Sequence, residues 1–186
     1  KGPLPPEIIF QWASQFCYGM EYARSRGVLA HRDIKPDNLM IDKNATLKVT
    51  DFGLAKSIDS TEFPHNKKWW NFRVNQEIRT VSQTKTGSAM GTLPYMSPEQ
   101  FIDAKNIDLR ADIYSFGVIL YQMATGNGYP YQINLDSPDI GTEFYTAHTR
   151  QSPITIESSL MPIISRCLEK KPEFRYATYD DLLAEI

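Results

Sequence analysis

Cysteine is scarce in this chain, and neither a long hydrophobic run nor an excess of charge is present. The two cysteines among 186 residues, Cys17 and Cys167, have no cysteine or histidine at ligand spacing, which argues against a zinc site. Each lies in an apolar pattern of helical period, so we expect two reduced core thiols in an intracellular, cytoplasmic protein. No apolar stretch approaches the roughly 18 residues of a membrane span. A net charge of −2 gives no reason to expect nucleic acid or an anionic membrane as a partner.

One short stretch carries most of the chemistry. Asp33, Lys35 and Asn38 place a carboxylate, an ammonium group and a carboxamide within six positions. A second carboxylate, Asp51, follows Asp33 by 18 residues. Phosphoryl transfer requires an acid that can accept a proton, a neighbouring cation, and oxygen groups that can hold a metal ion. The stretch therefore predicts a phosphotransferase site.

Apolar residues of helical period predict a mainly α domain. The first helix runs for about 20 residues and ends at Gly27. Residues 112–123 are apolar nearly all round, which is typical of a buried helix, and Gly126 caps its end. Asp112 at its start must be paired, because an isolated buried charge is costly, and the charged loop is its natural partner. Three shorter helices are predicted. The first covers 143–150, and the second covers 160–168 with Ser158 or Ser159 as its N-cap. The third covers 179–186 and starts with a capping box of Thr178 and Asp181.

Two short extended runs at 39–41 and 47–49 flank turn-forming residues and predict a β-hairpin. The hairpin would bring the two acidic loops together. Periodicity then disappears from about 57 to 86, and a loop of this length is usually functional or disordered. Its adjacent Trp69 and Trp70 suggest contact with a partner or with a second copy of the chain. The simpler interpretation is that one of them packs on the domain surface.

Five motifs occur in a fixed order along nearly the whole chain. They are His31-Arg32-Asp33 with Asn38, Asp51-Phe52-Gly53, Ser97-Pro98-Glu99, Asp112 with Ser115-Phe116-Gly117, and Arg175 in Lys171-Pro172-Glu173-Phe174-Arg175. In this order they resemble the C-terminal lobe of eukaryotic-like (Hanks-type) serine/threonine protein kinases. The resemblance implies a kinase-like C-lobe. The family fold is α+β, and this lobe of it would be mainly α, a helical bundle with short β-hairpins at the catalytic cleft. Ser97 stands where alanine is commoner, and Tyr114 where tryptophan is frequent.

The resemblance implies catalytic and cofactor roles for the residues of the first two motifs. Asp33 would orient the substrate hydroxyl and accept its proton, and Lys35 would neutralise charge on the transferred phosphoryl group. Asn38 and Asp51 would hold Mg²⁺, or Mn²⁺ in its place. Leu39 would form the floor of the adenine pocket for ATP. Lys35 at its position favours serine and threonine over tyrosine as the acceptor.

Other matched residues would regulate or support the site. Arg32 would bind a phosphorylated activation segment through a bidentate contact. The phosphorylated residue would be Thr84, Thr86 or Ser88, with a solvated loop as the alternative interpretation. Thr92 would bridge Asp33 and Lys35. The residues with structural roles would be His31 and Phe52 as packing groups, Glu99 with Arg175 as a buried ion pair, and Asp112.

The departures from the family pattern concern the N-terminal lobe. No G-x-G-x-x-G loop and no strand lysine of the Val-Ala-Ile-Lys kind occurs. We therefore expect residues 1–186 to be a C-lobe fragment without an N-lobe, unable to phosphorylate a substrate alone. The activation segment, 51–99, spans 49 residues and is long for the family.

Three functions stay open at this point. The first is the catalytic lobe of a protein kinase that uses ATP and a protein substrate, with a homodimer for trans-autophosphorylation if the long segment exchanges between copies. The second is a pseudokinase or scaffold lobe that binds protein partners, although a scaffold has no chemical need for Asp33, Lys35, Asn38 and Asp51 together. The third is a small-molecule phosphotransferase. Thr92 and Ser97–Glu99 would form a peptide-binding ledge, which favours a protein substrate instead. A membrane anchor elsewhere in the parent protein is left open.

Overall fold

A computed structural model describes residues 2–57, 91–103 and 107–186 of the chain. The α-helices there are α1 (Pro6–Ser25), α2 (Pro98–Ile102), α3 (Leu109–Thr125), α4 (Ile140–Arg150), α5 (Met161–Cys167) and α6 (Tyr179–Glu185). The strands are β1 (Val28–Ala30), β2 (Leu39–Ile41), β3 (Leu47–Val49) and β4 (Lys56–Ser57). Short 3₁₀ turns lie at Pro36–Asn38, Phe52–Leu54, Leu93–Tyr95 and Pro172–Phe174. The predicted mainly α architecture is therefore present in these ranges.

Helix α3 is the centre of the hydrophobic core. Its residues 111–121 are all buried, as a helix that is apolar nearly all round requires. Phe116 stacks on Phe16 of α1 with ring centroids 3.8 Å apart. Gly117 faces α5, where an added Cβ would lie 2.6 Å from the Cβ of Cys167. Only glycine lets these two helices approach so closely.

Two short antiparallel sheets flank the chemistry-bearing loops. Strands β2 and β3 form the predicted hairpin, and Asp42 stabilises its turn by accepting hydrogen bonds from the N–H groups of Asn44 and Thr46. Strand β1 pairs with β4, which the sequence did not predict. This pairing joins the segment before His31 to the segment after Asp51-Phe52-Gly53.

Four of the helix boundaries follow their predicted signals. Helix α1 has Pro6 as its first residue and ends just before Gly27. Gly126 adopts φ 72° after α3, the left-handed conformation that glycine tolerates best. At α6, Thr178 Oγ1 accepts a hydrogen bond from the N–H of Asp181 (3.0 Å), and Asp181 accepts one from the N–H of Thr178 (3.0 Å). The predicted capping box is confirmed.

Two helix starts differ from the prediction. Helix α4 begins at Ile140, three residues earlier, because Asp139 caps it by accepting a hydrogen bond from the N–H of Thr142 (3.1 Å). The prediction of a serine N-cap for α5 at 158 or 159 was wrong, since the N-cap is Leu160 without a side-chain cap. Ser158 instead accepts a hydrogen bond from the N–H of Leu160 (3.2 Å), which closes the turn before the helix.

The two cysteines are the core thiols that the sequence predicted. Cys17 and Cys167 are both free and buried. Burial raises the pKa of both thiols, that of Cys17 to about 12, so both stay protonated and unreactive at neutral pH. Within the ranges that the structure describes, no helix combines the length and the apolar character that crossing a membrane would need.

Candidate active site

The buried carboxylate of Asp112 holds the backbone of the charged loop. Asp112 is 1% exposed and accepts hydrogen bonds from the N–H groups of His31 (2.7 Å) and Arg32 (2.8 Å) and from the hydroxyl of Tyr179 (3.0 Å). Burial raises the pKa of the Asp112 carboxyl, and the hydrogen bonds from the two N–H groups oppose that rise. The predicted pairing of Asp112 with the charged loop is confirmed. It also explains how Arg32 tolerates a φ of 71°.

The side chain of Arg32 has an unused donor. Its Nε is a buried nitrogen without a hydrogen-bond partner, the sole such side-chain atom within the described residues. Burial lowers the pKa of this guanidinium, and the charge of Asp112 opposes the lowering. The carbonyl of Arg32 accepts a hydrogen bond from Gln100 Nε2 (3.0 Å), which fixes the loop against α2. The predicted phosphorylation positions Thr84, Thr86 and Ser88 lie outside the described residues, as do Trp69 and Trp70.

Asp33, Lys35 and Thr92 form a closed triangle of polar contacts. Lys35 Nζ lies 2.9 Å from Asp33 Oδ2 and donates to Thr92 Oγ1 at 3.1 Å. Thr92 Oγ1 in turn donates to Asp33 Oδ1 at 3.3 Å. The predicted bridge through Thr92 is therefore present. It joins the charged loop to the Leu93–Tyr95 turn, although Thr92 lies 59 residues from Asp33 in the sequence.

Asn38 is oriented by the same carboxylate. Its Nδ2 donates to the carbonyl of Asp33 (2.7 Å) and to Asp33 Oδ2 (3.1 Å), so both N–H groups of the amide point toward Asp33. The amide oxygen consequently points away from Asp33. The carbonyl of Asn38 accepts hydrogen bonds from the N–H (2.9 Å) and the hydroxyl (3.3 Å) of Thr50. Because Thr50 directly precedes Asp51, the hairpin brings the two predicted metal-binding residues to neighbouring positions.

Asp51 presents an exposed carboxylate from a strained backbone. Its φ of 58° places it in the left-handed region, which is uncommon outside glycine. Its Oδ1 accepts a hydrogen bond from the N–H of Gly53 (3.3 Å). Within the described ranges, no three His, Cys, Asp or Glu side chains group as a metal site. An amide oxygen and a carboxylate nevertheless fit Mg²⁺, which commonly binds one or two protein oxygens and completes its shell with water and phosphate.

His31 is fully buried and uses both ring nitrogens. Its Nε2 lies 2.9 Å from the carbonyl of Thr50, and its Nδ1 accepts a hydrogen bond from the N–H of Asp33 (3.3 Å). Because a carbonyl can only accept, the neutral ring carries its proton on Nε2. Its ring meets the edge of Phe52 at a centroid distance of 4.7 Å. These contacts suit the packing role predicted for both residues.

The two faces of β2 present different apolar side chains. Leu39 packs against the core and lines a cavity of about 280 Å³ together with Met123 of α3. Met40, the next residue, is 59% exposed on the opposite face. The assignment of Leu39 to the adenine pocket therefore stays a prediction, and Met40 is the most exposed side chain of β2, ahead of Ile41 at 43%.

Arg175 and Glu99 form the predicted ion pair. Arg175 NH1 lies 2.6 Å from Glu99 Oε1, and NH2 lies 2.8 Å from Oε2, which is a bidentate contact. The side chain of Arg175 is 0% exposed and that of Glu99 22% exposed. The pair fixes α2 to the segment before α6.

The sequence did not predict Gln100, Thr50 or Tyr179 as supports of the site. Gln100 Oε1 accepts a hydrogen bond from the N–H of Ser97 (3.0 Å), so the spacing Ser-x-x-Gln, a capping-box signature, could have indicated it. Nothing local marks Thr50 or Tyr179, because their partners are the carbonyl of Asn38 and the carboxylate of Asp112.

A carboxylate held beside a lysine and an amide, with a second acid adjacent, is the arrangement of a phosphotransferase site. The chain belongs to the protein kinase domain family, whose sequence model matches residues 1–185.

The curated relatives that this chain resembles are named as serine/threonine-protein kinases. A probable serine/threonine-protein kinase of Clostridium acetobutylicum is 34% identical over the whole of this chain, which covers 25% of that protein. A probable serine/threonine-protein kinase of Clostridium perfringens is 32% identical, with 24% of its length covered. The serine/threonine-protein kinase PknB of Mycobacterium leprae is 33% identical, with 26% covered. The chain thus spans about a quarter of the length of these relatives.

Proposed function

We propose that this chain forms the catalytic lobe of a serine/threonine protein kinase, which transfers the γ-phosphoryl group of ATP to protein hydroxyls. The observation that carries the proposal is the triangle of Asp33, Lys35 and Thr92, to which Asn38 is also attached. Asp33 is only 11% exposed in its side chain, yet its carboxylate is held by three side-chain donors at once. Such a preorganised carboxylate can orient a substrate hydroxyl and accept its proton, a contribution worth roughly 10²–10⁴ in rate.

The remaining groups of the site have separate roles in this proposal. Lys35 places a cation beside Asp33 and would offset negative charge on the transferred group. Asn38 and Asp51 would hold Mg²⁺, which when bound neutralises phosphate charge. We assign the apolar contact with the base to Met40, because Leu39 is already packed against the core. A kinase of this kind, with two reduced thiols, would act in the cytoplasm.

A phosphate-transfer assay on the full-length protein tests this function. Peptides that offer serine or threonine should be phosphorylated, and matched tyrosine peptides should not. Asp33→Asn should lower kcat at least 100-fold, in line with the loss of a positioned base. Asp136→Asn is the matched control, because it makes the same change at an exposed position. Unchanged transfer in Asp33→Asn would refute the assigned role, and absence of transfer in the wild type would favour a scaffold lobe instead.

Arg32 supports a proposal about activation. An arginine nitrogen that is buried and unpaired is poised for an anionic partner, and a phosphate offers acceptor oxygens and charge. We propose phosphorylated Thr84, Thr86 or Ser88 as that partner. Phosphatase treatment should then lower the activity of the wild type and leave Arg32→Met unaffected. Mass spectrometry that finds all three residues unmodified in active enzyme would contradict the proposal.

Two further expectations concern the 186 residues themselves. They contain neither a glycine-rich phosphate loop nor the strand lysine of the family, so we expect no phosphate transfer from these residues alone. Transfer by the isolated chain that Asp33→Asn abolishes would contradict this.

Exchange of the long 51–99 segment between copies would produce a homodimer, and a monomeric mass at high protein concentration would argue against it.

A further inference from the structure

A continuous chain of buried and partly buried polar side chains connects the segment after α5 to the Leu93–Tyr95 turn. Lys170 Nζ donates to the hydroxyl of Tyr131 (2.9 Å), which lies 2.7 Å from the hydroxyl of Tyr114. Tyr114 contacts His148 Nδ1 (2.9 Å), and His148 Nε2 contacts the hydroxyl of Tyr129 (2.6 Å). The last link runs from the hydroxyl of Tyr129 to the carbonyl of Pro94 (2.8 Å).

The two ends of this chain fix the direction of every hydrogen bond in it. The carbonyl of Pro94 can only accept, so Tyr129 must donate to it and must itself accept from His148 Nε2. A neutral imidazole with its proton on Nε2 has an acceptor at Nδ1, so Tyr114 donates there. Tyr114 then accepts from Tyr131, and Tyr131 accepts from Lys170. The three tyrosines and His148 each donate one of these hydrogen bonds and accept another, and aligned bonds of this kind reinforce one another.

The charge states agree with this direction. His148 is 0% exposed, and burial lowers its pKa to about 3, so the ring is neutral at physiological pH. Burial also raises the pKa of all three tyrosines, which keeps their hydroxyl protons in place. Burial and the nearby charge of Arg175 lower the pKa of Lys170 to about 7, and its Nζ, 4.1 Å from the ring centroid of Tyr131, can donate to Tyr131 with or without the charge. Buried polar networks are favourable when every member is satisfied, as it is here.

Both ends of the chain reach elements of the proposed active site. Pro94 lies in the turn that directly follows Thr92, whose hydroxyl binds Asp33 and Lys35. At the other end, the carbonyl of Lys170 accepts a hydrogen bond from Arg175 NH2 (3.1 Å), the partner of Glu99. Tyr129 thus holds the turn 93–95 directly, and the ion pair of Glu99 and Arg175 holds α2, which follows that turn in the sequence.

We propose that Tyr129 and the chain behind it, through Tyr114, His148, Tyr131 and Lys170, are positioning residues for the peptide substrate, holding the Leu93–Tyr95 turn where the acceptor segment binds. This inference rests on the proposed kinase function. None of the five residues contacts the reacting groups, so their effect passes through the carbonyl of Pro94. A small displacement of a substrate-binding turn is sufficient to weaken productive binding.

The principal test is Tyr129→Phe in the full-length protein, assayed with a serine or threonine peptide. The substitution keeps the ring and removes the one hydroxyl that holds Pro94. We expect KM for the peptide to rise roughly three- to tenfold, as loss of one buried hydrogen bond predicts. KM for ATP should stay the same, because the base and phosphate contacts are elsewhere. Tyr145→Phe is the matched control, because Tyr145 lies on α4 beside His148 and its hydroxyl is outside the chain.

A second variant covers the case in which Tyr129→Phe folds poorly. Lys170→Met keeps the length of the side chain and removes the donor at the far end, and it should raise the peptide KM by a smaller factor, roughly twofold to threefold. A peptide KM equal to that of Tyr145→Phe in both variants would overturn this inference while leaving the kinase function intact. Absence of phosphate transfer by the wild type would overturn both.

The tautomer of His148 gives a readout that does not depend on catalysis. Nitrogen-15 NMR of the imidazole should show a protonated Nε2 and an unprotonated Nδ1 from pH 5 to 8, without titration. A proton on Nδ1, or titration near the ordinary histidine pKa, would reverse or break the chain and overturn the proposal. In Tyr129→Phe the Nε2 resonance should shift, because its acceptor is gone, whereas in Tyr145→Phe it should not.

Discussion

Replacing Arg175 by lysine keeps the positive charge, but we expect it to destabilise the kinase domain strongly. Arginine has five N–H donors, and in Arg175 all five are used. Two go to the carboxylate of Glu99, and three go to the carbonyls of Glu169 (2.7 Å), Arg110 (2.8 Å) and Lys170 (3.1 Å). Lysine has three donors on one nitrogen, so at least two of the five acceptors must lose their partner.

The size of the effect follows from these losses. A hydrogen bond to a charged group contributes about 1.5–3 kcal/mol, and the Arg175 side chain is 0% exposed, so water cannot replace it. Two lost bonds correspond to roughly 3–6 kcal/mol, which overlaps the range of about 3–5 kcal/mol for breaking a buried ion pair on one side. Glu99→Gln should cost less, about 1–2 kcal/mol, because Glu99 is 22% exposed and water can reach its freed oxygen. A domain at the lower end of ordinary stability, about 5 kcal/mol, would be close to unfolding in Arg175→Lys.

Urea denaturation followed by circular dichroism measures these differences. Arg24→Lys is the matched control, because Arg24 pairs with Glu21 on the surface of α1 at 44% exposure and should change the free energy of unfolding by less than about 0.5 kcal/mol. The reasoning fails if Arg175→Lys costs less than about 1 kcal/mol. It also fails if Glu99→Gln costs more than Arg175→Lys, because the loss in free energy of unfolding would then not follow the solvent exposure of the two side chains.

Three other perturbations test separate parts of the structure. Asp112→Asn places an amide N–H₂ opposite a backbone donor of His31 or Arg32, so we expect a loss of about 2–4 kcal/mol in urea denaturation. The lowered pKa of His148 means that the unfolded state binds its proton first, so stability should fall by up to about 1.4 kcal/mol per pH unit from pH 6.5 toward 3, and this pH-dependent difference should vanish in His148→Gln. Met40→Ala should raise KM for ATP without lowering stability, whereas Leu39→Ala should lower the melting temperature.

Local signals in the sequence predicted the elements that local interactions form. The proline start of α1, the turn of the β2–β3 hairpin and the capping box of α6 each lie within a few residues of the structure they specify. Even so, the start of α4 was missed, because Asp139 acts as its cap across a stretch with little periodicity. The pairing of β1 with β4 carried no signal at all, since two strands of three and two residues have no alternation to recognise.

The sequence predicted which motif residues come together in the candidate site but not which residues support them. The resemblance named Asp33, Lys35 and Thr92 because each has a fixed place in a motif, and the structure brings the three into contact. Gln100 and Tyr179 act through single hydrogen bonds to Arg32 and Asp112, from 68 and 67 residues away. A contact at that separation depends on how whole helices pack, and a single sequence contains no record of it.

The positions of the proposed base and of the substrate turn are linked through one threonine. Thr92 contacts Asp33 through its hydroxyl, and its neighbours 93–95 are held from behind by Tyr129. Movement of that turn must therefore also displace the Thr92 hydroxyl, which donates to Asp33. A chain that binds protein partners without catalysis has no physical reason to join the partly buried carboxylate of Asp33 to the proposed peptide-binding turn in this way. The linkage supports a kinase in which acceptor position and proton acceptance are set together.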